Sequence, residues 1–405
     1  MDCQVLIIGG GPAGSTAGKI LAENGISTII VDKAKFPRDK VCAGGLMFHT
    51  FIDFPYIKPF IDNYNFAAKI YSPSLKYRLN LFSESKNEPL MAMTSSREHF
   101  DYNLIKLAKK AGCELREENK ADSIEINSNK ATTFLKNGEK ITSQIIIGAD
   151  SIHSIVNKNP NLQNKWVTDD MGLAIEENIQ LGKKTMDDIY TKDRCVHLFL
   201  HYNDLPGYAW LFPRKESINI GIGTLVRLGN RIRKQFSQFI NVLKQEKLIP
   251  NDFQSKGFKA ALIPLSLPFD QCYADRTLLI GDAAGFVSAI TGEGIYYAMK
   301  SANAAALTCI QALKENKFIT KKMSTFKKIW KKSISKELKL QYFAKNWVLL
   351  NKRRCEKGVR WGSKDKKLEK MLANFLMGRF NVNGIEFRVG YHYIRCKIKD
   401  TFRIL

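Results

Sequence analysis

Apolar residues along this chain fall into three patterns, and each predicts a different kind of element. Short unbroken runs come first: Val5-Leu6-Ile7-Ile8, Thr28-Ile29-Ile30-Val31, Ile145-Ile146-Ile147 and Leu278-Leu279-Ile280. Runs of this length bounded by glycine or an acid suit strands buried on both faces. Helical spacing is the second pattern. Ala17, Ile20 and Leu21 predict a helix from Ser15 to Asn24 stopped by Gly25, and Leu104, Ile105, Leu107 and Ala108 predict one that follows an N-cap at Ser96 and runs to Lys110. A long helix is expected from Ile295 to Leu313. The third pattern is alternation, at Tyr71, Leu75, Tyr77, Leu79 and Leu81, then at Val196, Leu198 and Leu200, at Tyr208, Trp210 and Phe212, and at Ile218, Ile220 and Ile222. It predicts antiparallel strands, and it places three large aromatics on one face, as core or as the wall of an apolar pocket.

Chemistry gathers where the buried runs end. Gly9-Gly10-Gly11-Pro12-Ala13-Gly14 follows the first with G-x-G-x-x-G spacing, a helix comes next, and the second run closes on Asp32, 18 residues beyond Gly14. The glycines permit a tight turn, close approach to a pyrophosphate and close packing of helix on strand, and the acid stands where a ribose hydroxyl is held. Strand, turn, helix and acid together predict an ADP-containing dinucleotide rather than a bare turn. Two more strand-end acids, Asp150 and Asp282, fall at the sheet edge where ligands of open α/β sheets bind. Gly292-Glu293-Gly294 launches the long helix at Ile295, offering free N–H groups toward whatever Asp282 holds. Arg97 sits in the first turn of its helix, where a cation opposes the dipole; an anionic partner and an exposed arginine are both open readings.

The expected fold is α/β, α+β overall: a Rossmann-like nucleotide domain over residues 1–56, 94–162 and 270–313, an antiparallel-sheet substrate domain over 57–93 and 163–269, and a basic, largely helical C-terminal part over 314–405. Lys40-Val41-Cys42-Ala43-Gly44-Gly45 lets backbone approach a flat ligand with a thiol at its edge, Lys40 favouring the thiolate; a buried cysteine in a glycine turn is the plainer alternative.

Composition adds constraints. The 405 residues carry a net charge of +24, and from Lys321 to Lys370 there are 18 Lys or Arg against 4 acids. Phe326, Trp330, Ile334 and Leu338 form an apolar stripe among those lysines. A solvated helix face, a helix lying on an anionic membrane and a nucleic-acid surface all fit this pattern, the last without any recognisable nucleic-acid module. The eight cysteines include no C-x-x-C pair, so neither a metal site nor a disulfide framework is expected. With no basic leader and no apolar run of spanning length, a cytoplasmic protein is expected, peripheral at the inner face of the membrane.

These residues resemble the geranylgeranyl reductase family of FAD-dependent flavoproteins, within the para-hydroxybenzoate-hydroxylase-like group. The resemblance is carried by Gly9-x-Gly11-x-x-Gly14, by Arg97 in a Ser-Arg-x-x-Phe-Asp context, by Gly148-Ala149-Asp150, and by Gly281-Asp282-Ala283-Ala284-Gly285. Lys40-x-Cys42-x-Gly44-Gly45 and Tyr208-x-Trp210-x-Phe212-Pro213 select the reductases, although flavin-dependent halogenases carry a motif partly like the second. Ala43 stands where a glycine is usual, and Ser151 follows Asp150 where hydroxylases have glycine.

The resemblance implies that FAD is held by Gly9, Gly11, Pro12, Ala13, Gly14, Asp32, Lys33, Cys42, Gly44, Gly45, Arg97, Ala121, Asp150, Asp282, Gly292, Gly294 and Ile295. It further implies that Cys42 and Lys40 take part in catalysis and that Tyr208 and Trp210 line a prenyl tunnel. The implied reaction saturates carbon–carbon double bonds of a geranylgeranyl or polyprenyl chain on a prenylated lipid, quinone or chlorophyll-type substrate, with electrons from NAD(P)H or a small redox protein. A flavin monooxygenase or halogenase, and a non-catalytic flavin-binding membrane protein, are the alternatives.

Overall fold

A computed structural model describes residues 1–83, 85, 87–94, 96–162, 164–190, 194–376, 378 and 395. The expected boundary at Gln163, Cys396 and the end of the basic C-terminal part lie outside the described residues. The chain forms two compact units, each assembled from three segments: Met1–Lys40, Arg97–Met171 and Ile263–Tyr342 in the first, and Val41–Ser96, Gly172–Leu262 and Phe343–Leu405 in the second.

The first unit is built on an eight-stranded sheet whose central strands run in the order Thr277–Leu279, Lys140–Gly148, Cys3–Ile8, Thr28–Val31 and Glu114–Arg116, all parallel. A parallel sheet needs cover on both faces, which is why its strands read as unbroken apolar runs. Val5, Leu6, Ile7, Ile145, Ile146 and Ile147 are fully buried. The helix expected from Ser15 begins three residues earlier and spans Pro12–Glu23, because proline at the first helical position has its φ already set and no N–H to leave unpaired. The helices Arg97–Lys110 and Ile295–Lys314 fall where expected. Thr325–Ala344 is helical too, but its stripe has another use than a membrane. Phe326, Trp330, Ile334 and Leu338 are buried, and Phe326 and Trp330 meet Phe286 edge-on at 6.0 and 5.2 Å between ring centroids. An apolar face already covered by the rest of the chain offers nothing to lipid, so this helix is a core helix with lysines on its wet side.

The second unit holds a seven-stranded sheet in the order Lys259–Pro264, Met171–Gln180, Ser217–Leu225, Tyr208–Pro213, Val196–Leu200, Ala67–Tyr71, Arg78–Phe82. From Met171–Gln180 to Arg78–Phe82 it is antiparallel except where Val196–Leu200 meets Ala67–Tyr71 in parallel. Within 57–93, Leu79 and Leu81 are buried on one face, whereas Leu75 lies at the hairpin tip and is 43% exposed. The stretch 163–269, read from alternation as strands alone, also contains the helices Gly182–Tyr190 and Gly229–Gln245. The longer one buries Ile232, Phe236, Phe239, Ile240 and Leu243 against Ile218, Ile220, Ile222 and Leu211 on one face of the sheet. Among the described residues no helix is long and apolar enough to cross a membrane.

On that same face Tyr71 stacks on Phe199, centroids 4.2 Å apart, and its hydroxyl lies 3.0 Å from His197 Nδ1. Burial, helped by the fields of Lys69 and Arg78, pulls the His197 imidazole down to about 3. The unfolded chain, with an ordinary histidine near 6.5, therefore binds the extra proton between those values, so stability falls as pH drops from about 6.5 toward 3. The expected slope from this residue is up to about 1.4 kcal/mol per pH unit. Urea unfolding of the wild type and a His197→Phe variant across that window checks it: the difference between them should shrink as pH falls.

Candidate functional site

In the first unit, the glycine turn is shaped by contacts that leave no room for side chains. Gly9 has φ +105°, and a Cβ there would lie 2.4 Å from the Ala149 carbonyl oxygen; one on Gly14 would lie 1.8 Å from the Gly9 carbonyl oxygen. The turn is thus pressed onto the 148–150 strand end by steric necessity. Gly11 faces more open space, where a Cβ would first meet the Arg38 guanidinium at 3.5 Å. Pro12 and Ala13 open the helix with no side-chain cap, leaving its first N–H groups directed outward beside this turn.

Asp32 braces the turn. Its Oδ2 accepts the Gly10 N–H at 2.8 Å and its Oδ1 the Ala34 N–H at 2.9 Å, which still leaves a lone pair on each oxygen for a ribose hydroxyl. Arg38, which sequence reasoning passed over as part of a polar loop, lies 3.9 Å from Asp32 and 3.2 Å from Asp101. Asp101 also accepts from Arg97 Nε and Nη2, at 2.7 and 2.8 Å. The anionic partner that Arg97 called for is therefore one turn along its own helix. Ala121 is buried at the start of a strand, two residues after Asn119, whose N–H donates to the Asp32 carbonyl at 2.9 Å. Lys33 is exposed, and its charge bears on Asp150.

Asp150 and Asp282 lie at sheet ends as their strand-end positions imply. Asp150 Oδ2 accepts the Ile155 N–H at 2.8 Å, while its Oδ1 is buried with no partner among the described residues. Burial pushes this carboxyl up, opposed by Ser154, the Ile155 N–H and Lys33. Ser151 beside it holds φ +69°, the left-handed region where glycine rests without strain. Burial raises Asp282 as well, opposed by Lys40 and Arg97. A Cβ on Gly294 would come within 3.3 Å of Asp282 Oδ1, so the uncapped start of the helix at Ile295 stands against that carboxylate, with Gly292 turning at φ +69° just before it. A side-chain-free turn, a buried carboxylate oxygen without a partner and a bare helix N-terminus beside a second carboxylate suit the pyrophosphate and hydroxyl groups of FAD.

In the second unit, Tyr208, Trp210 and Phe212 share a sheet face as the alternation predicts, with centroids 5.8 and 6.1 Å apart. Trp210 lies over Gly221, where a Cβ would be 2.1 Å from its ring. Beneath the aromatics is a polar network that no sequence pattern announced. Trp210 Nε1 donates to Asn219 Oδ1 at 2.7 Å, and Asn219 Nδ2 donates to Glu176 Oε2 at 3.2 Å and Asn178 Oδ1 at 2.9 Å. Glu176 Oε1 accepts the Cys42 N–H at 2.8 Å. Arg214, 2% exposed, donates from Nη1 to Asn178 Oδ1 and from Nη2 to the Ala43 carbonyl, both at 2.9 Å. Burial lowers its guanidinium, offset by Glu176, Cys42 and Asp62. The network ties the Cys42 loop to the aromatic strand. Gly44 donates its N–H toward Cys42 Sγ at 3.4 Å, and a Cβ on Gly45 would touch Met91 at 3.2 Å and Phe212 at 3.4 Å. Strand register alone brings Glu176 and Asn219 together, which is why composition and spacing could not reveal them.

The model of the FAD binding domain family matches residues 2–51 and 78–317. An uncharacterized protein of Methanosarcina barkeri is 31% identical over 84% of this chain and 82% of its own length. The digeranylgeranylglycerophospholipid reductase of Methanocaldococcus jannaschii is 27% identical over 81% of this chain and 82% of its own. Among solved structures, the geranylgeranyl bacteriochlorophyll reductase-like protein of Thermoplasma acidophilum superposes with a TM-score of 0.78 at 23% identity, covering 92% of this chain and 95% of that one. The flavin-dependent halogenase CmlS shares the fold too, with a TM-score of 0.67 at 17% identity over all of this chain and 78% of that one.

Proposed function

The chain belongs to the FAD-binding domain family, and from that premise we propose that it is a flavin-dependent reductase that saturates carbon–carbon double bonds in the geranylgeranyl chains of a lipid. The observation that carries this reading is the Cys42 loop anchored through Glu176 and Arg214 to the strand that bears Tyr208, Trp210 and Phe212. It has the two things an unactivated alkene needs from the protein, a proton-bearing group held in place and an apolar wall. Relatives named for reduction of digeranylgeranylglycerophospholipid support the choice of substrate.

Reduced FAD supplies the hydride when bound. Gly9, Gly11, Pro12, Ala13 and Gly14 would admit its pyrophosphate, Asp32 would hold a ribose hydroxyl, and Asp282 with the Gly294–Ile295 turn would hold the ribityl chain and ring edge. Cys42 holds the proton for the alkene, its loop kept in one geometry by the network below, and Tyr208 and Trp210 orient the prenyl chain. Orientation of this kind can supply several kcal/mol of barrier lowering. The single dinucleotide fingerprint is used for FAD, so electrons come from a transiently bound nicotinamide or a small redox protein. A geranylgeranyl lipid resides in a bilayer, which places the enzyme's work at a membrane surface.

Anaerobic reoxidation of the dithionite-reduced protein tests the reading. Addition of a geranylgeranylated lipid should speed reoxidation, and mass spectrometry should find hydrogen added to the lipid. Rapid reoxidation by oxygen alone, with oxygen or halogen in a product, would instead favour the monooxygenase or halogenase reading suggested by Gly207-Tyr208-Ala209-Trp210-Leu211-Phe212-Pro213. Cys42→Ala is expected to lower lipid turnover by about 100-fold or more while keeping its flavin. Unchanged turnover would remove Cys42 from the chemistry.

A further inference from the structure

Within the second unit, the hairpin between strands Ala67–Tyr71 and Arg78–Phe82 and the helix Lys352–Gly362 enclose an open cavity of about 620 Å³. That volume lies in the range of small-ligand clefts. Lys76, Lys352, Arg353, Lys357 and Arg360 line it, against one acid, Glu356. One carboxylate offsets only one of the five positive charges. That carboxylate accepts the Ser74 N–H at 2.9 Å, the Ser74 hydroxyl at 2.5 Å and the Ser72 hydroxyl at 3.2 Å, so it is committed to holding hairpin to helix. Lys352 pairs with Asp204, and Arg360 lies over the Tyr77 ring at 6.0 Å. Lys76, Arg353 and Lys357 make no ion pair among the described residues.

Such an arrangement is unfavourable without a ligand. Arg353 and Lys357 are like charges one helical turn apart, and Lys352 and Arg353 sit at the positive end of the helix dipole. Leu75, at the tip of the same hairpin between Ser74 and Lys76, adds a second oddity. It is 43% exposed with φ +61°, a conformation and a position where glycine or asparagine is expected. An exposed leucine beside a cationic cavity suits an interface in which phosphate lies next to hydrocarbon.

We propose that this cavity binds the phosphate of a glycerophospholipid headgroup of net negative charge at a bilayer surface, with Arg353, Lys357 and Lys76 as its cations and Leu75 reaching toward the acyl region. The proposal deepens the lipid-reductase reading by naming the headgroup chemistry and the surface that receives it.

Co-sedimentation of the full flavin-loaded chain with vesicles tests it without turnover, so the result stands apart from whether any prenyl chain is reduced. The wild type should bind phosphatidylglycerol vesicles and not phosphatidylcholine ones. Arg353→Glu with Lys357→Glu should weaken binding by about 30-fold or more, and Leu75→Ser by a few-fold. Arg353→Gln with Lys357→Gln, gentler to the fold, should fall between. A matched reversal at the exposed Lys183 and Lys184 should change binding little. If that control costs as much, the effect is the chain's +24 charge and not a site, and the proposal fails. It fails too if the double reversal binds like the wild type, or if soluble glycerol phosphate binds as tightly as the vesicles.

Discussion

Gly14→Ala is expected to yield a protein without bound flavin and with a damaged fold, and Gly11→Ala a folded protein that binds flavin weakly. The two differ by what a methyl group meets. At Gly14 it would lie 1.8 Å from the Gly9 carbonyl oxygen, inside the closest approach any carbon can make, and Ile7 and the rest of Gly9 close off a retreat. Either the helix Pro12–Glu23 must leave the sheet or the turn must open, and overpacking of this severity costs upward of 1–3 kcal/mol. At Gly11 the first neighbour is the flexible Arg38 guanidinium at 3.5 Å, an ordinary contact. The methyl would then stand only where a pyrophosphate approaches, and a roughly tenfold or greater loss of FAD affinity, about 1.4 kcal/mol, is the expected size. Visible absorbance of the purified variants, flavin titration of the apoproteins and circular dichroism separate the two. Gly14→Ala that folds and binds FAD like the wild type would show that the helix does not pack on the turn as described.

Arg214→Met should destabilise the second unit by about 3 kcal/mol or more and loosen the Cys42 loop. Methionine keeps most of the apolar stem, so the change isolates the guanidinium. Its loss strips a donor from the Ala43 carbonyl and from Asn178, and removes the nearby positive charge from Glu176, which is 4% exposed. Removing one member of a buried charged network leaves the others uncompensated, and 3–5 kcal/mol is typical of such breaks. Losing the Arg214 guanidinium is harsher than losing the Trp210 indole N–H alone, which makes one neutral hydrogen bond. Urea unfolding gives the stability. Hydrogen exchange over residues 41–45 gives the loop, since the Cys42 N–H is held by Glu176, whose position depends on the same network. Unchanged exchange there with lowered stability would mean that Arg214 supports the sheet but not the loop.

The long-range features of the first unit were legible because they rest on local rules. Val5–Ile8 could only be a doubly covered strand, Gly9 to Gly14 could only be a turn without side chains, and Asp32, Asp150 and Asp282 followed as strand-end acids. The helix Gly229–Gln245 was legible too, from Ile232, Phe236, Phe239, Ile240 and Leu243 at helical spacing, but the alternating runs before it drew the reading toward strands. Arg97 and the stripe from Phe326 to Leu338 were ambiguous for a different reason. A pattern says that a face is apolar or that a charge wants a partner, and it does not say what covers the face or who the partner is. Asp101 and Phe286 answered those questions, one on the same helix and the other 40 residues away in sequence.

By itself, then, the sequence determined the nucleotide fold, the glycine turn after its first strand, the strand-end acids and the aromatic face at Tyr208 to Phe212, because periodicity, glycine spacing and strand ends are properties of neighbouring residues. Only the tertiary structure decided that Glu176, Asn178, Asn219 and Arg214 join beneath Cys42, that the basic helix from Thr325 is core, and that Lys76 meets Arg353 and Lys357 at one cavity. Those groupings depend on strand register and on segments far apart in the chain, and side chains that have no pattern in common along the chain become neighbours only when the backbone closes.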